Sequence, residues 1–325
     1  MRILITGGCG FIGSNFIHYI VNKYHKYKII NLDALTYAGN LSSVQDINTS
    51  KYAFFHDNIE NVQTVDKLVK DADAVINFAA ETHVDRSIED AYPFLRTNIL
   101  GLQALLDCSK KAAVPRFIHI STDEVYGSLE TKEGKFHETT PLNPNSPYSA
   151  SKAAADLLIR SYVNTYDMPA IIVRPSNNYG PYQYPEKLIP LMITNLMEDR
   201  KVPVYGQGRN IRDWLYVKDT CSAIDTILHN GTNGETYNVG GECELENIEL
   251  VKMTLKLMDK DSASIEFVKD RLGHDYRYAL DNSKITAQLG WKPQMQIQQG
   301  IAHTIKWYQE NQWWWKPLVS LTNAS

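Results

Sequence analysis

The chain opens on RILITGGCGFIG, a short β-branched run that breaks into glycines at positions 7, 10 and 13. No other feature limits the fold as tightly, because a strand, a glycine turn and a helix starting near Phe11 together make a dinucleotide site. Gly7, Gly10 and Gly13 follow a GxxGxxG spacing that meets three demands: a tight turn, close backbone approach to a pyrophosphate, and close packing of helix on strand. Free N–H groups and the dipole at the helix start favour a negative diphosphate. Asp33 ends the next apolar run about 20 residues on, where a carboxylate accepts hydrogen bonds from adenosine ribose hydroxyls and repels a 2′-phosphate. The expected cofactor is therefore NAD rather than NADP. A glycine turn that serves packing alone is the simpler alternative, and the order of strand, turn, helix and acid weighs against it. Ala79 and Ala80, small residues closing the fourth apolar run, let the backbone pass close beside the cofactor.

Short apolar runs at 2–6, 28–32, 52–56, 74–79, 116–121 and 169–174 alternate with segments of helical spacing such as 97–112 and 148–164. This alternation predicts an α/β fold, a Rossmann-like doubly wound parallel sheet with helices on both faces. Beyond Pro175 the alternation weakens. Shorter strands are expected at 203–205, 214–217, 236–239, 265–268 and 276–280, with helices near 188–200, 218–229, 247–259 and 298–310. These describe a smaller mixed α/β lobe, so the expected division is an NAD-binding domain over 1–175 and a substrate-binding domain over 176–325, with some segments returning to the first. The run of Trp313, Trp314 and Trp315 is expected to dock on the body or at a subunit contact, with a frayed end beyond it.

At 325 residues with 43% hydrophobic content, the chain is long and apolar enough for a large core. A formal net charge of −4 gives no general electrostatic reason to bind nucleic acid, which leaves small molecules as partners. Cysteines at 9, 108, 221 and 243 are too scattered for a zinc site or a redox pair, so free thiols and no metal are expected. No apolar run reaches the roughly 20 residues a membrane span requires. With a core strand at its start, the chain reads as cytoplasmic.

Chemistry enters with STDEVYG and PYSASK. Tyr148 and Lys152 are four apart and share one helix face. A phenol ordinarily titrates near 10, and a neighbouring ammonium together with a positive nicotinamide ring favours phenolate, so Tyr148 can remove a hydroxyl proton. Thr122, ending the preceding strand, can donate to the oxygen being oxidised. Asp123 and Glu124 are the discriminating pair. Oxidation of a sugar carbon to a ketone acidifies the hydrogen on the next carbon, so one carboxylate can remove it while a protonated carboxyl donates to the hydroxyl leaving beyond. As an exposed loop pair they would only cap a helix; their place at the C-terminal end of a parallel strand favours catalysis.

The segments GGCGFIGSNF, NLDALTYAGN, NFAAETHVDRS, STDEVYG, PYSASKAAAD, RPSNNYGPYQYPEKLIP, PVYGQGRNIRDWLYVKD, YNVGG and RLGHDYRYALD cover nearly the whole chain. Through them it resembles the extended short-chain dehydrogenase/reductase family and, within it, the nucleotide-sugar 4,6-dehydratases that act on dTDP-glucose. The resemblance implies that Tyr148 is the base at carbon 4 and that Lys152 assists it and binds the nicotinamide ribose. It also implies that Asp123 protonates the hydroxyl leaving carbon 6 and that Glu124 removes the proton at carbon 5. Phe11, Ile12, Asp33, Leu35, Thr36, Ile59, Ala80, Thr97 and Asn178 match cofactor contacts. Asn58 stands where the family usually has Asp, and its amide still accepts from the adenine amino group. Thr82, Asn177, Lys187, Leu188, Pro203, Tyr205, Arg212, Asn247, Arg271 and His274 match substrate contacts beside Thr122, with Arg212 and Arg271 suited to clamp the diphosphate. Loops after Gly127 are shorter than in many relatives. A homodimer built on the helices near 97–112 and 148–164 is implied as well.

Three enzymes compete with this reading, one of them a UDP-glucuronate decarboxylase, which expects a site built for the substrate carboxylate. A UDP-sugar 4-epimerase shares the glycine loop, Asp33, Tyr148 and Lys152 but has no use for a carboxylate pair. A UDP-glucose 4,6-dehydratase differs only in the base it binds. A dinucleotide sensor without catalysis makes the whole constellation dispensable, which its completeness argues against.

Overall fold

A computed structural model describes residues 1–47, 50–270 and 272–322. The strands in chain order are β1 (Arg2–Thr6), β2 (Lys28–Asp33), β3 (Tyr52–His56), β4 (Ala74–Asn77), β5 (Phe117–Ile120), β6 (Ala170–Pro175), β7 (Asn177–Tyr179), β8 (Val202–Tyr205), β9 (Ile211–Tyr216), β10 (Thr236–Val239), β11 (Glu244–Glu246) and β12 (Ile265–Val268). Seven of them form one sheet in the order β10-β6-β5-β4-β1-β2-β3, and every pairing in it is parallel. Apart from the edge strand β3, its strands are buried on both faces, which is why they read as mainly apolar runs. Ile3 and Ile5 point into a core shared with Phe16, Ile17 and Ile20 of the helix Phe11–Lys23. Leu4 points the other way, into a core shared with Leu105 and Leu106 and with Ala155 and Ile159 of the helix Pro147–Tyr166.

The chain reverses direction along the sheet between β1 and β4, and a ligand crevice opens at such a switch point. Helix ends are matched to this. The helix Pro147–Tyr166 is closed at its start by Ser146, whose side chain accepts from Ser149 N, with Pro147 at the first position, and it stops at left-handed Asp167. By contrast, the helix Phe11–Lys23 follows Gly10 with no side-chain cap and leaves its first N–H groups turned to the crevice.

The second half departs from the periodicity in several places. β10 joins the main sheet beside β6, while β11, β9 and β7 make a three-stranded sheet and β12 pairs with β8. The segment 276–280, expected as a strand, forms only isolated bridges, Ile211 to Arg277 and Phe136 to Leu280. Its alternating aromatics are held between the end of β9 and the loop 129–136: Leu129 N donates to Arg277 O, Phe136 N to Ala279 O, and Tyr278 N to Ile211 O. The expected helix over 97–112 is α-helical only over Leu102–Lys111; Arg96–Gly101 is a π-helical turn.

The tryptophan run lies in a helix, Gln312–Thr322. Trp314 and Trp315 are buried with Tyr308 in a core built from the second half of the chain, and Trp314 Nε1 donates to Ser43 Oγ at 3.1 Å. Trp313 stays exposed, so docking on the body uses two of the three rings. Trp315 has no exposed surface, and its Nε1 donates to Tyr308 O at 2.8 Å. Trp315→Ala is expected to lower unfolding stability by about 3–5 kcal/mol, measured by denaturant titration, through lost burial and the cavity left behind. Trp313→Ala, measured alongside, is expected to stay within about 0.5 kcal/mol of the parent.

Candidate active site

The crevice at the sheet's switch point gathers the cofactor residues at one end. Gly7 takes φ +70, and a Cβ there would lie 2.5 Å from Ala79 N; a Cβ on Gly13 would lie 2.3 Å from Gly7 O. These two positions admit only glycine, because the backbones of turn, helix and β4 already touch. Asp33 closes the next wall. Its Oδ2 accepts from Cys9 N and its Oδ1 from Leu35 N, both at 2.8 Å, and burial lifts its carboxyl above the ordinary range. Gly10, Phe11, Ile12, Thr36, Asn58, Ile59, Ala79, Ala80, Thr97 and Asn178 line the same crevice. Leu35 does not; its side chain packs on the core while its N–H braces Asp33. Uncapped helix N–H groups, a glycine cradle and a braced acceptor fit the pyrophosphate and ribose of a dinucleotide.

Thr122, Asp123, Glu124, Tyr148 and Lys152 line the other end of this crevice. Thr122 lies two residues past the end of β5 and caps the short 3₁₀ turn Asp123–Tyr126, its Oγ1 accepting from Glu124 N at 3.3 Å and lying 3.2 Å from Asp123 Oδ1. Burial, the Glu124 carboxylate and Asp213 all drive the Asp123 carboxyl well above its ordinary range, while the Arg212 guanidinium opposes them. Asp123 Oδ2 is buried without a partner among the described residues. Glu124 Oε2 accepts from Ser149 Oγ at 3.3 Å. One acid held protonated beside a second carboxylate is the division of labour that general acid and general base require.

The phenol departs from expectation. Burial and the charge of Glu124 push Tyr148 well above 10, and the Thr122 hydroxyl only partly offsets them. Lys152 turns its Nζ into the sheet, donating to Ile120 O at 2.7 Å and lying 3.2 Å from His119 Nε2. Burial lowers Lys152 itself to about 8.

Of the expected substrate residues, Thr82, Asn177 and Lys187 line the crevice, with Lys187 Nζ donating to Thr82 O at 3.1 Å. Asn177 Oδ1 is buried without a partner among the described residues, as is Asn247 Oδ1 at the start of the helix Asn247–Leu257. Leu188 begins the helix Leu188–Met197, and Pro203 and Tyr205 lie on β8. The Tyr205 ring meets His274 edge-on at 6.1 Å, and His274 Nδ1 lies 2.6 Å from Asp270 Oδ1. Arg212 is buried, its fork directed at the carbonyls of Ile211, Asp275 and Tyr276 and over the Tyr278 ring at 4.4 Å. Arg271 lies outside the described residues. Periodicity and motif spacing missed Tyr37, Glu81, Gln183 and Glu186 on the crevice wall and His119 behind Lys152. A polar residue in a strand buried on both faces was the available signal for His119.

Lys152 yields a test of sign. Its folded pKa, about 8, lies below the ordinary 10.5, so between those values the unfolded chain binds more protons and stability rises with pH. Unfolding free energy of the cofactor-free protein is expected to gain about 3 kcal/mol across that window, and Lys152→Met to lack that gain, in paired urea titrations at each pH.

Comparison with known proteins agrees with this geometry. The family description GDP-mannose 4,6 dehydratase matches residues 4–304. A curated dTDP-glucose 4,6-dehydratase from Streptomyces niveus is 46% identical over 330 residues, covering 100% of this chain and 98% of that protein. The crystal structure of DesIV, a dTDP-glucose 4,6-dehydratase from Streptomyces venezuelae with NAD and TYD bound, superposes with a TM-score of 0.95 at 46% identity, over 98% of this chain and 100% of that one. The UDP-glucose 4-epimerase of Thermotoga maritima, solved with UDP-glucose, superposes at 0.89 with 26% identity, over 96% of this chain and 100% of that one. With cradle, phenol and paired carboxyls in one crevice and a match along nearly its full length, this chain belongs to the GDP-mannose 4,6 dehydratase family.

Proposed function

We propose that this chain is an NAD-dependent hydro-lyase that converts dTDP-glucose to dTDP-4-dehydro-6-deoxy-glucose and water. The observation that carries the reading is the carboxyl pair, Asp123 held protonated by burial and by Glu124, in one crevice with Tyr148. An epimerase needs the phenol and lysine but gives no work to that pair. Bound NAD would take a hydride from sugar carbon 4 and give it back at carbon 6, leaving no net redox change. Tyr148 takes the hydroxyl proton at carbon 4, steadied by Thr122. Glu124 removes the proton at carbon 5 and gives one back there once carbon 6 has been reduced, and Asp123 delivers its own to the departing hydroxyl at carbon 6. Asn177 and Asn247, with buried oxygens that lack partners among the described residues, suit polar groups of the nucleotide sugar.

The reading extends to the division at residue 175, the cofactor held before it and the nucleotide sugar mostly beyond. It also includes a homodimer and a cytoplasmic setting. Ile88, Tyr92, Leu95, Leu100 and Leu157 are exposed apolar side chains on the segment 84–101 and the helix Pro147–Tyr166, a grouping suited to a partner surface. Cys9, Cys108, Cys221 and Cys243 are all free, which suits a reducing compartment. No helix among the described residues is long and apolar enough to cross a membrane.

Incubation with dTDP-glucose is expected to develop the alkaline absorbance of a 4-keto sugar, with UDP-glucose turned over more slowly; no signal with either overturns the reading. Tyr148→Phe and the pair Asp123→Asn with Glu124→Gln are each expected to cut product formation by roughly 10²–10⁴-fold. Loss of carbon-5 hydrogen exchange with solvent, read by NMR, accompanies both. Leu100→Asp with Leu157→Asp is expected to convert a dimer to a monomer in sedimentation velocity, and an unchanged mass sinks the assembly.

A further inference from the structure

Behind the catalytic lysine runs a row of polar side chains that the reaction, as derived above, does not use. Thr6 on β1 is the register partner of Asn77 on β4, and Asn77 is the partner of His119 on β5. Adjacent residues in parallel register project to one sheet face, so the three line up beneath the helix that carries Lys152. Each contact in the row is short: Thr6 Oγ1 to Asn77 Oδ1 2.6 Å, Asn77 Nδ2 to His119 Nδ1 3.0 Å, His119 Nε2 to Lys152 Nζ 3.2 Å. All four side chains are at most 2% exposed. The row thus starts next to the glycine turn and ends at Lys152.

Proton counting makes this row informative. With Asn77 Nδ2 donating to Nδ1, a neutral His119 carries its proton on Nε2, and Lys152 can meet that N–H only as an amine with a free lone pair. An ammonium on Lys152 needs the opposite arrangement. Nε2 must then accept, the ring proton must sit on Nδ1, and Nδ1–H must find an oxygen. Asn77 supplies that oxygen if its amide turns over, which places its NH₂ toward Thr6 Oγ1, a hydroxyl able to donate or accept. Between the two arrangements the set loses one proton while the ring keeps one, moved from Nδ1 to Nε2. His119 itself stays neutral, because burial and the Lys152 charge push it well below its ordinary range.

One charged group also acts on Lys152: the buried Asp156 carboxylate favours its ammonium form. On the lysine's own helix stand Tyr148 and Asp156, and Asp156 is held by Arg174 of β6 at 2.8 Å. β4 and β1 present the uncharged Asn77 and Thr6, and β5 presents His119 and the Ile120 carbonyl. We propose that His119 is a positioning residue that sets the protonation of Lys152, its ring tautomer and the turn of the Asn77 amide matching the amine or ammonium form. It acts on the reaction through Lys152, whose charge must be present to favour the Tyr148 phenolate. The inference extends the site reading above, but its readouts do not use turnover.

The test is NMR on the purified full chain with ¹⁵N-histidine and ¹³C-lysine labels, the Lys152 Cε signal being identified by its absence in Lys152→Met. As Lys152 loses its proton with rising pH, the His119 ring proton is expected to move from Nδ1 to Nε2 at the same midpoint. His119→Phe, which removes the acceptor, is expected to lower the Lys152 midpoint by about one pH unit, the worth of a hydrogen bond to a charged group. His119→Gln keeps an acceptor toward Nζ and is expected to restore most of the difference. A single His119 tautomer throughout the Lys152 titration overturns the proposal, as does an unchanged midpoint in His119→Phe. If His119→Phe does not fold, the tautomer readout on the parent protein decides. Absence of dTDP-glucose turnover beside the expected tautomer exchange would overturn the proposed function and leave this inference standing.

Discussion

Parallel pairing of seven strands is the constraint from which the site follows. Because β1, β2, β4, β5 and β6 run the same way, they deliver Gly7, Asp33, Ala79, Thr122 and Ser176 to one edge of the sheet. Residues that are far apart in sequence become neighbours by register alone, as Thr6, Asn77 and His119 do. The helix Pro147–Tyr166 is then laid across that edge by its apolar stripe, Ala155 and Ile159 facing the sheet, and this packing places Tyr148 and Lys152 over the strand ends. No separate device is needed to aim the catalytic side chains.

The price of this placement is charge out of water. Asp123, Lys152 and Asp156 are all buried, and Asp213 lies behind Asp123. The two oxygens of Asp213 accept from Gly241 N at 3.0 Å and Cys243 N at 2.9 Å, yet burial still lifts its carboxyl to about 6. Asp156 is compensated by Arg174, which also donates to the Tyr126 hydroxyl at 2.7 Å. Asp123 Oδ2 has no hydrogen-bond partner among the described residues, and the Arg212 guanidinium only partly offsets its burial. A structure that tolerates such a buried acid in the same crevice as a phenol is organised around chemistry rather than stability.

Much of this was legible in the residues, for reasons that can be named. Gly7 and Gly13 are demanded by backbone contact, Asp33 by its place at a strand end, and Tyr148 with Lys152 by helical spacing, so local rules reach them. β7 and β11 escape those rules because NNY and ELE are polar triplets that become strands only by pairing with β9. The segment 276–280 errs the other way: YRYAL alternates like a strand, but it meets only the first residue of β9 and the loop 129–136. Arg212 carries no sign in the sequence that carbonyls of Asp275 and Tyr276 take up its fork. In β5, apolar neighbours on both faces erase the alternation that would have shown which way His119 points.

The contact between Trp314 and Ser43 ties the last helix to a loop close to the start of the chain. Ser43 is buried and sits between β2 and β3. Synthesis must therefore run 271 residues past Ser43 before this joint can close. Until then the loop lacks the indole that pins it to the helix, and a chain cut short by premature termination ahead of Trp314 never acquires it.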